Sequence, residues 1–270
     1  AQLAGPLFSL SFIAGAVITA FSAYTYVKMS NAWPSSGGIA MILQKAYGPT
    51  TVAAGAALLM ALSMVINESL VARTFATYLL HGLGVDTSGW MVPVLGVGII
   101  VFAYLINAAG NRSVGLFSII MATIKVGGIT LFGAAALWAG GISFEAAGNG
   151  QSTQVTGFVA SVALSILAFK GFTTITNSGS EITDPHKNVG RAIMASIGIC
   201  VVVYLLVAYA VGSGLTLDQI IAAKDYALAE AAGPTLGQSG FYLTVLLAIV
   251  ATSSGLIASI FAVSRMLAML

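Results

Sequence analysis

Four charged side chains lie inside long apolar stretches of the sequence. They are Glu68, Arg73, Lys125 and Lys170. In a membrane each of these charges is costly unless it faces other protein groups or water. Charges kept at such positions are suited to binding ions or polar solutes or to carrying protons. These side chains are therefore the first candidates for a functional site.

Lys125 is expected near the midplane of the membrane. It follows Arg112 by about 13 positions, which places its Cα about 17 to 20 Å from that end of a helix. The ammonium group cannot easily reach water from this depth. Since desolvation disfavours the charged form, the amine is suited to binding and releasing a proton. A structural lysine that donates to backbone carbonyls is an equal alternative.

Three consecutive hydroxyl residues, Thr252, Ser253 and Ser254, precede Arg265 by about 12 positions. On an antiparallel helix they lie at a depth similar to that of Lys125. Their oxygens could coordinate a cation or accept a hydrogen bond from an ammonium group. The alternative is ordinary packing, because Ser and Thr are common between membrane helices.

Lys170 lies in a stretch that is unusually polar for a membrane helix. Leu167, Ala168, Phe169, Lys170, Gly171, Phe172 and Thr173 are followed by several further Thr, Ser, Asn and Gly residues. This composition favours a discontinuous helix whose free backbone groups line a polar cavity. A kinked helix packed wholly in protein is the alternative.

Glu68 and Arg73 lie five positions apart, about 140° around a helix, which disfavours a pair between them. Glu68 is the better site candidate of the two.

The composition places most of the chain in lipid. Only 7% of the 270 residues are charged, 58% are hydrophobic, and the net charge is +2. A water-soluble domain of this length needs many more charges on its surface. The balance gives no indication of a nucleic-acid partner. The single Cys200 cannot form an intramolecular disulfide, and no metal-ligand pattern is present.

Seven apolar stretches are long enough to cross a bilayer as helices. They cover residues 8–28, 51–80, 91–108, 114–139, 157–178, 190–214 and 240–267. None shows the alternation of barrel strands. We also predict a short amphipathic helix over 217–232 that begins near Thr216 and ends at Gly233-Pro234. The predicted fold class is therefore an all-α membrane protein.

The basic residues predict the orientation of the helices. Six of them fall on one side of a seven-span arrangement: Lys28, Lys45, Arg112, Lys187, Arg191 and Arg265. In loops of the other side only Lys224 is basic, and acidic residues such as Glu145 and Asp225 collect there. Because Lys and Arg concentrate in cytoplasmic loops, the N-terminus is expected outside and the C-terminus inside. We expect the plasma (inner) membrane.

Several stretches, in order, resemble amino acid permeases of the amino acid, polyamine and organocation transporter superfamily. The first is Pro34-Ser35-Ser36-Gly37-Gly38, followed by Gly48-Pro49. The second is Phe169-Lys170-Gly171-Phe172, followed by Glu181, Asp184-Pro185, Asn188 and Arg191-Ala192-Ile193. The third is Ser264-Arg265.

The resemblance implies a truncated LeuT-type fold of two inverted repeats. Residues 1–270 would form a single transmembrane domain, with the rest of the first repeat at about 1–140 and the start of the second at about 155–270. The fragment would match helices two to eight of about twelve. The family's first helix, with its glycine-rich break, would be absent.

The resemblance also implies roles for the candidate residues. Residues 167–173 would be the break of the sixth helix that contacts an amino acid substrate. Lys125 would be the coupling lysine of proton-coupled members, and Thr252, Ser253 and Ser254 the wall of the same ion site. No cofactor is implied, and a coupling proton is favoured over sodium.

Three residues depart from the family pattern: Lys28 replaces a usual Glu, Gly190 a usual Pro, and Lys170 adds a cation beside the substrate-binding glycine. Lys170 would disfavour cationic substrates unless a carboxylate such as Glu68 is its charge partner. We therefore expect neutral or acidic amino acids.

The expected function is secondary transport of amino acids by alternating access, and not enzymatic catalysis. A sodium-coupled or exchange carrier of another small organic solute is an alternative. A seven-helix receptor or retinal-type photoprotein is another, although that class needs a lysine in the last span and 240–267 contains none. No paired acids or nucleophile with its base lies at membrane depth.

Overall fold

The computed structural model describes residues 2–87, 89–140, 154–223 and 227–268. In this part of the chain the secondary structure is helical throughout. The α-helices are α1 Phe8–Ala32, α2 Gly38–Tyr47, α3 Thr51–Gly82, α4 Met91–Ala108, α5 Asn111–Gly140, α6 Val155–Phe169, α7 Phe172–Ile175, α8 Pro185–Gly214, α9 Leu217–Ala223 and α10 Ala227–Leu267. Two short 3-10 helices cover Gly5–Leu7 and Thr176–Glu181.

Seven membrane-spanning helices are present in the described residues, as the sequence predicts. They correspond to α1, α3, α4, α5, the combined α6–α7 segment, α8 and the C-terminal part of α10. Large apolar side chains cover the outside, including Phe21, Leu59 and Trp138, which are 78%, 68% and 93% exposed. Such a surface is stable only in contact with lipid. The chain is therefore an integral membrane protein of all-α fold.

The segment between the first two spans contains a helix that the sequence prediction missed. The ten residues of α2 are amphipathic and bury Ala40, Met41 and Ile42 on one face. They are too few to span a bilayer. Gly48, with φ 73°, ends the helix, and the Thr50 hydroxyl then accepts a hydrogen bond from the Ala53 amide at the start of α3.

The predicted amphipathic helix begins near the expected residue, but it does not have the predicted end. The Thr216 amide donates to Gln219 Oε1 at 2.9 Å, which caps the start of α9. The predicted end at Gly233-Pro234 is wrong, because α10 continues through this point and bends at Gly237, whose φ is 60°. Glu145, Lys224 and Asp225, on which part of the orientation argument rests, lie outside the described residues.

The most extensive helix packing joins α1 to α8 and α3 to α10. In the predicted arrangement of two inverted repeats, α1 corresponds to α8 and α3 to α10, as the second and third helices of each repeat. A two-fold axis between such repeats produces this pairing. The division at about 140–155 itself stays a prediction.

Small residues bring α1 and α6 close together. Ser161 and Ser165 both donate from α6 to the buried Ser11 hydroxyl on α1, at 3.0 and 3.2 Å. One turn further along α1, a Cβ added to Gly15 would lie 2.8 Å from Ser165 Cβ. The two backbones therefore approach as closely as small-residue membrane interfaces allow.

We expect Gly15→Ala to destabilise the protein and Gly55→Ala to leave it unchanged or stabilise it. Both glycines are helical, so each substitution gains about 1 kcal/mol in helix propensity. Only Gly15 has a neighbour in the way, since nothing lies within 4 Å of a Cβ at Gly55. Overpacking costs about 1 to 3 kcal/mol. Thermal unfolding of the two variants in detergent checks this, and equal midpoints would contradict the close packing.

Candidate functional site

The fifth span, the combined α6–α7 segment, is interrupted at Lys170 and Gly171. α6 ends at Phe169 and α7 begins at Phe172. The backbone between them stays right-handed but tightens, because the Lys170 amide donates to the Leu167 carbonyl and the Thr173 amide to the Lys170 carbonyl, both at 3.2 Å. The discontinuity expected from the sequence is therefore a tight turn of three-residue hydrogen bonds, and not an extended segment.

Tyr204 on α8 supports this turn. Its hydroxyl donates to the Ala168 carbonyl at 2.8 Å, close to the point where the regular helical hydrogen bonds stop. Its ring lies 5.2 Å from the Phe169 ring and 6.0 Å from the Phe12 ring of α1. Tyr204 thus supplies both a hydrogen bond and apolar contact to the interrupted helix. The sequence analysis did not identify it, because a tyrosine within an apolar span carries no distinctive signal.

The turn opens onto a cavity of about 430 Å³. Helices α3, α5, α8 and α10 contribute the other walls. The cavity contains eight of the predicted site residues: Glu68, Lys125, Leu167, Ala168, Lys170, Gly171, Thr173 and Thr252. Its volume is in the range of small-molecule sites. The structure therefore brings together residues that the sequence places up to 184 positions apart.

Lys125 and the hydroxyl residues of α10 meet at one wall of the cavity. Lys125 Nζ donates to Ser254 Oγ at 3.1 Å. The hydroxyl of Thr252 donates to the Ala248 carbonyl, and that of Ser253 to the Ile249 carbonyl, both at 2.7 Å and both within α10. Ser254 is thus the residue of the three that contacts the lysine, while Ser253 is buried away from the cavity.

Lys170 and Glu68 also line the cavity. Lys170 Nζ donates to Ser63 Oγ on α3 at 2.6 Å. Glu68 Oε1 accepts from Asn67 Nδ2 at 3.2 Å. In the described part of the chain the two charges do not form an ion pair with each other. Glu68 and Lys170, the predicted charge partners, therefore line the same cavity but do not contact each other directly.

Phe169 and Phe172 point away from this cavity and hold the turn in place. Both side chains are buried, at 3% and 7% exposure. The Phe172 ring packs edge-on against Tyr26 of α1, with 5.3 Å between ring centres. Among the seven predicted residues of the break, these two serve as anchors in the structure.

Polar residues of α3 also line or flank the site and were missed by the sequence analysis. Ser63 and Asn67 are one helical turn apart, and Glu68 follows directly. This spacing on an apolar helix is itself a signal of a polar face, which considering only charged residues overlooked. Ser259 of α10 completes this part of the wall.

The three motifs that carry the family resemblance converge at one end of the helices. The Gly179 amide donates to the Ser35 carbonyl at 3.1 Å, and the Ser36 and Ser180 hydroxyls are hydrogen-bonded. Arg265 forms an ion pair with Glu181. We call these contacts between residues 34–38, 176–181 and 265 the motif cluster.

Two glycines, Gly38 and Gly190, allow close contacts between segments at this end. Gly38 has φ 49°, and a Cβ there would collide with the Asn177 side chain, which donates to the Ala262 carbonyl at 3.1 Å. The Gly190 amide donates to Asn31 Oδ1 at 2.9 Å. A proline at position 190 has no amide hydrogen to donate, so the glycine supports a contact between α1 and α8 that proline cannot make.

Comparison with known proteins defines the class. The amino acid permease family matches residues 1–270, the whole chain. The chain is 31% identical over 264 residues to an uncharacterised protein of Methanocaldococcus jannaschii. The aligned residues make up 97% of this chain and 60% of that protein. The chain is 28% identical to the inner membrane transport protein YbaT of Escherichia coli, over 94% of this chain and 59% of YbaT.

A third relative is the serine/threonine exchanger SteT of Bacillus subtilis, which is 24% identical over 93% of this chain and 55% of SteT. The chain thus spans about 55 to 60% of the length of these relatives. It belongs to the amino acid permease family, as the motifs predict.

We expect Tyr204→Phe to lower stability by about 1 kcal/mol, because the ring contacts remain while the Ala168 carbonyl loses its hydrogen bond. Tyr104→Phe is the matched control, since Tyr104 is 62% exposed on α4. Thermal unfolding of both variants of the complete protein measures the difference. Equal unfolding temperatures would show that the Tyr204 hydroxyl does not stabilise the turn.

Proposed function

We propose that the complete protein carrying this chain is a secondary transporter that moves amino acids across the membrane by alternating access, coupled to protons. The observation that supports this most directly is the cavity itself. It joins an interrupted helix, a deep lysine and polar residues of α3 and α10 within a chain of the amino acid permease family. Interrupted helices at such a depth are typical of the substrate sites of transporters.

The names of relatives support amino acids as the substrates. SteT is a serine/threonine exchanger, and AimA of Bacillus subtilis, 24% identical over 76% of this chain, is a glutamate/serine transporter. A cationic amino acid transporter of Arabidopsis thaliana is also a relative, at 22% identity. Lys170 in the cavity disfavours cationic substrates by charge repulsion. We therefore propose neutral or acidic amino acids.

Coupling to protons is proposed for Lys125. Its amine reaches the Ser254 hydroxyl and also borders the cavity, so a change in its protonation alters both the α5–α10 contact and the charge that a substrate meets. A sodium ion bound at this position would need the oxygens around Ser254 as ligands. The ammonium already uses one of them, which favours a proton as the coupling ion.

Alternating access requires that one end of the site is closed, and we propose that the motif cluster contributes to that closure. It ties the segment before α2, the end of the interrupted helix and the end of α10 through hydrogen bonds and the Arg265–Glu181 ion pair. Lys45, Lys187 and Arg191 lie near the same end in sequence. By the positive-inside rule we propose that this end faces the cytoplasm, at the plasma (inner) membrane.

Uptake by the complete protein in proteoliposomes tests the function. We expect labelled amino acids to accumulate when an inward proton gradient is imposed and to equilibrate without accumulation when it is absent. Absence of uptake for every amino acid would reject amino acid transport. Equal accumulation with and without the gradient would reject proton coupling and favour exchange or sodium coupling.

Lys125→Ala should separate binding from coupling. The variant is expected to bind substrate and to exchange it between the two sides, but to lose accumulation driven by the proton gradient, because the proton-carrying group is gone. Lys28→Ala, an exposed lysine of α1 outside the cavity, is the control and should accumulate substrate normally. Gradient-driven accumulation by Lys125→Ala at the level of the unaltered protein would remove Lys125 from the mechanism.

A further inference from the structure

Positively charged side chains outnumber negatively charged ones in the lining of the cavity. Lys125 and Lys170 contribute two ammonium groups, whereas Glu68 contributes one carboxylate. They come from three separate elements: α5, the turn between α6 and α7, and α3. When all are ionised, the cavity carries a net positive charge. Burying such an excess away from water is unfavourable unless an anionic group joins it.

Glu68 retains an unused acceptor. Its Oε1 accepts from Asn67, and the Ser259 hydroxyl lies close to the carboxyl group, but Oε2 is buried and makes no well-formed hydrogen bond within the described residues. A buried oxygen without a donor costs free energy, more so for a charged group. A bound ammonium group would supply the missing donor as a charge-assisted hydrogen bond.

Lys170 retains unused donors. Its ammonium has three N–H groups, and Ser63 accepts one of them. Ser63 precedes Glu68 by five positions on α3, which separates their Cα atoms by about 7.5 Å along the helix axis. Lys170 attracts Glu68 electrostatically without pairing with it. The contact with Ser63 thus holds the two opposite charges apart on the cavity wall.

We propose that this cavity selects acidic amino acids, with the substrate ammonium donating to Glu68 Oε2 and a substrate carboxylate accepting from Lys170 Nζ. The proposal rests on amino acid transport as proposed above and specifies the substrate class. An acidic amino acid has two carboxylates and one ammonium, the reverse of the cavity's charges. Every charge can then be paired, and the complex is electrically neutral.

Other amino acids match the cavity less well. A neutral amino acid brings one carboxylate and leaves one of the two lysines without an anionic partner. A cationic amino acid adds a third positive charge, and repulsion in a poorly solvated site opposes it. Glutarate, which has two carboxylates and no ammonium, leaves Glu68 Oε2 without a donor and adds an unpaired negative charge.

The test is competition against uptake of labelled glutamate by the complete protein in proteoliposomes. We expect unlabelled glutamate to compete at concentrations at least tenfold lower than serine or glutarate, and lysine to compete least. If serine competes as well as glutamate, or if glutarate does, the assignment of the charged groups is wrong.

Two variants assign the groups separately. Lys170→Met keeps side-chain length and should reduce the preference for glutamate over serine at least tenfold. Glu68→Gln should reduce the preference for glutamate over glutarate by a similar factor. Lys187→Met, at the exposed start of α8, is the matched control and should keep both preferences. If Lys170 only tied the turn to Ser63, its loss would weaken all substrates alike and leave the preferences unchanged.

The outcomes separate this inference from the function on which it rests. Uptake of neutral amino acids without uptake of glutamate would overturn the inference and leave amino acid transport intact. Failure to transport any amino acid would overturn both. Because the substrate profile of the unaltered protein is decisive by itself, the test does not depend on the folding of the variants.

Discussion

Backbone amides and carbonyls inside a membrane must find partners within the protein, because hydrocarbon offers none. The long helices meet this requirement internally along most of their length. The turn between Phe169 and Phe172 meets it in a different way, since the regular helical hydrogen bonding stops there. It persists because shorter-range bonds form within the turn and because Tyr204 donates to the Ala168 carbonyl.

Close packing around the interrupted span makes that support possible. Gly15 and Ser11 let α1 approach α6, while α8 packs along α1 and brings Tyr204 to the turn. Phe172 then fixes the other side of the turn against Tyr26. Small residues on one side and aromatic residues on the other thus hold a polar segment at membrane depth.

Much of the fold was predictable from the sequence, because the solvent imposes it. Apolar length determines a span, so all seven spans were found close to their observed bounds. The amphipathic α2 was missed because ten residues are too short for that criterion. The end at Gly233-Pro234 was wrong because glycine and proline usually stop a helix in water, whereas here the chain continues as α10 and bends only at Gly237.

The sequence by itself determined the membrane setting, the seven spans, the family and the deep charged residues, since each depends on residue type and local spacing. Only the tertiary structure decided which of those residues meet. Lys125 reaches Ser254 and Lys170 reaches Ser63, contacts across 129 and 107 positions of sequence. Phe169, Phe172 and Ser253 lie away from the cavity although their neighbours in sequence line it. The reason is physical: successive residues of a helix point about 100° apart, so packing selects which of them face the site.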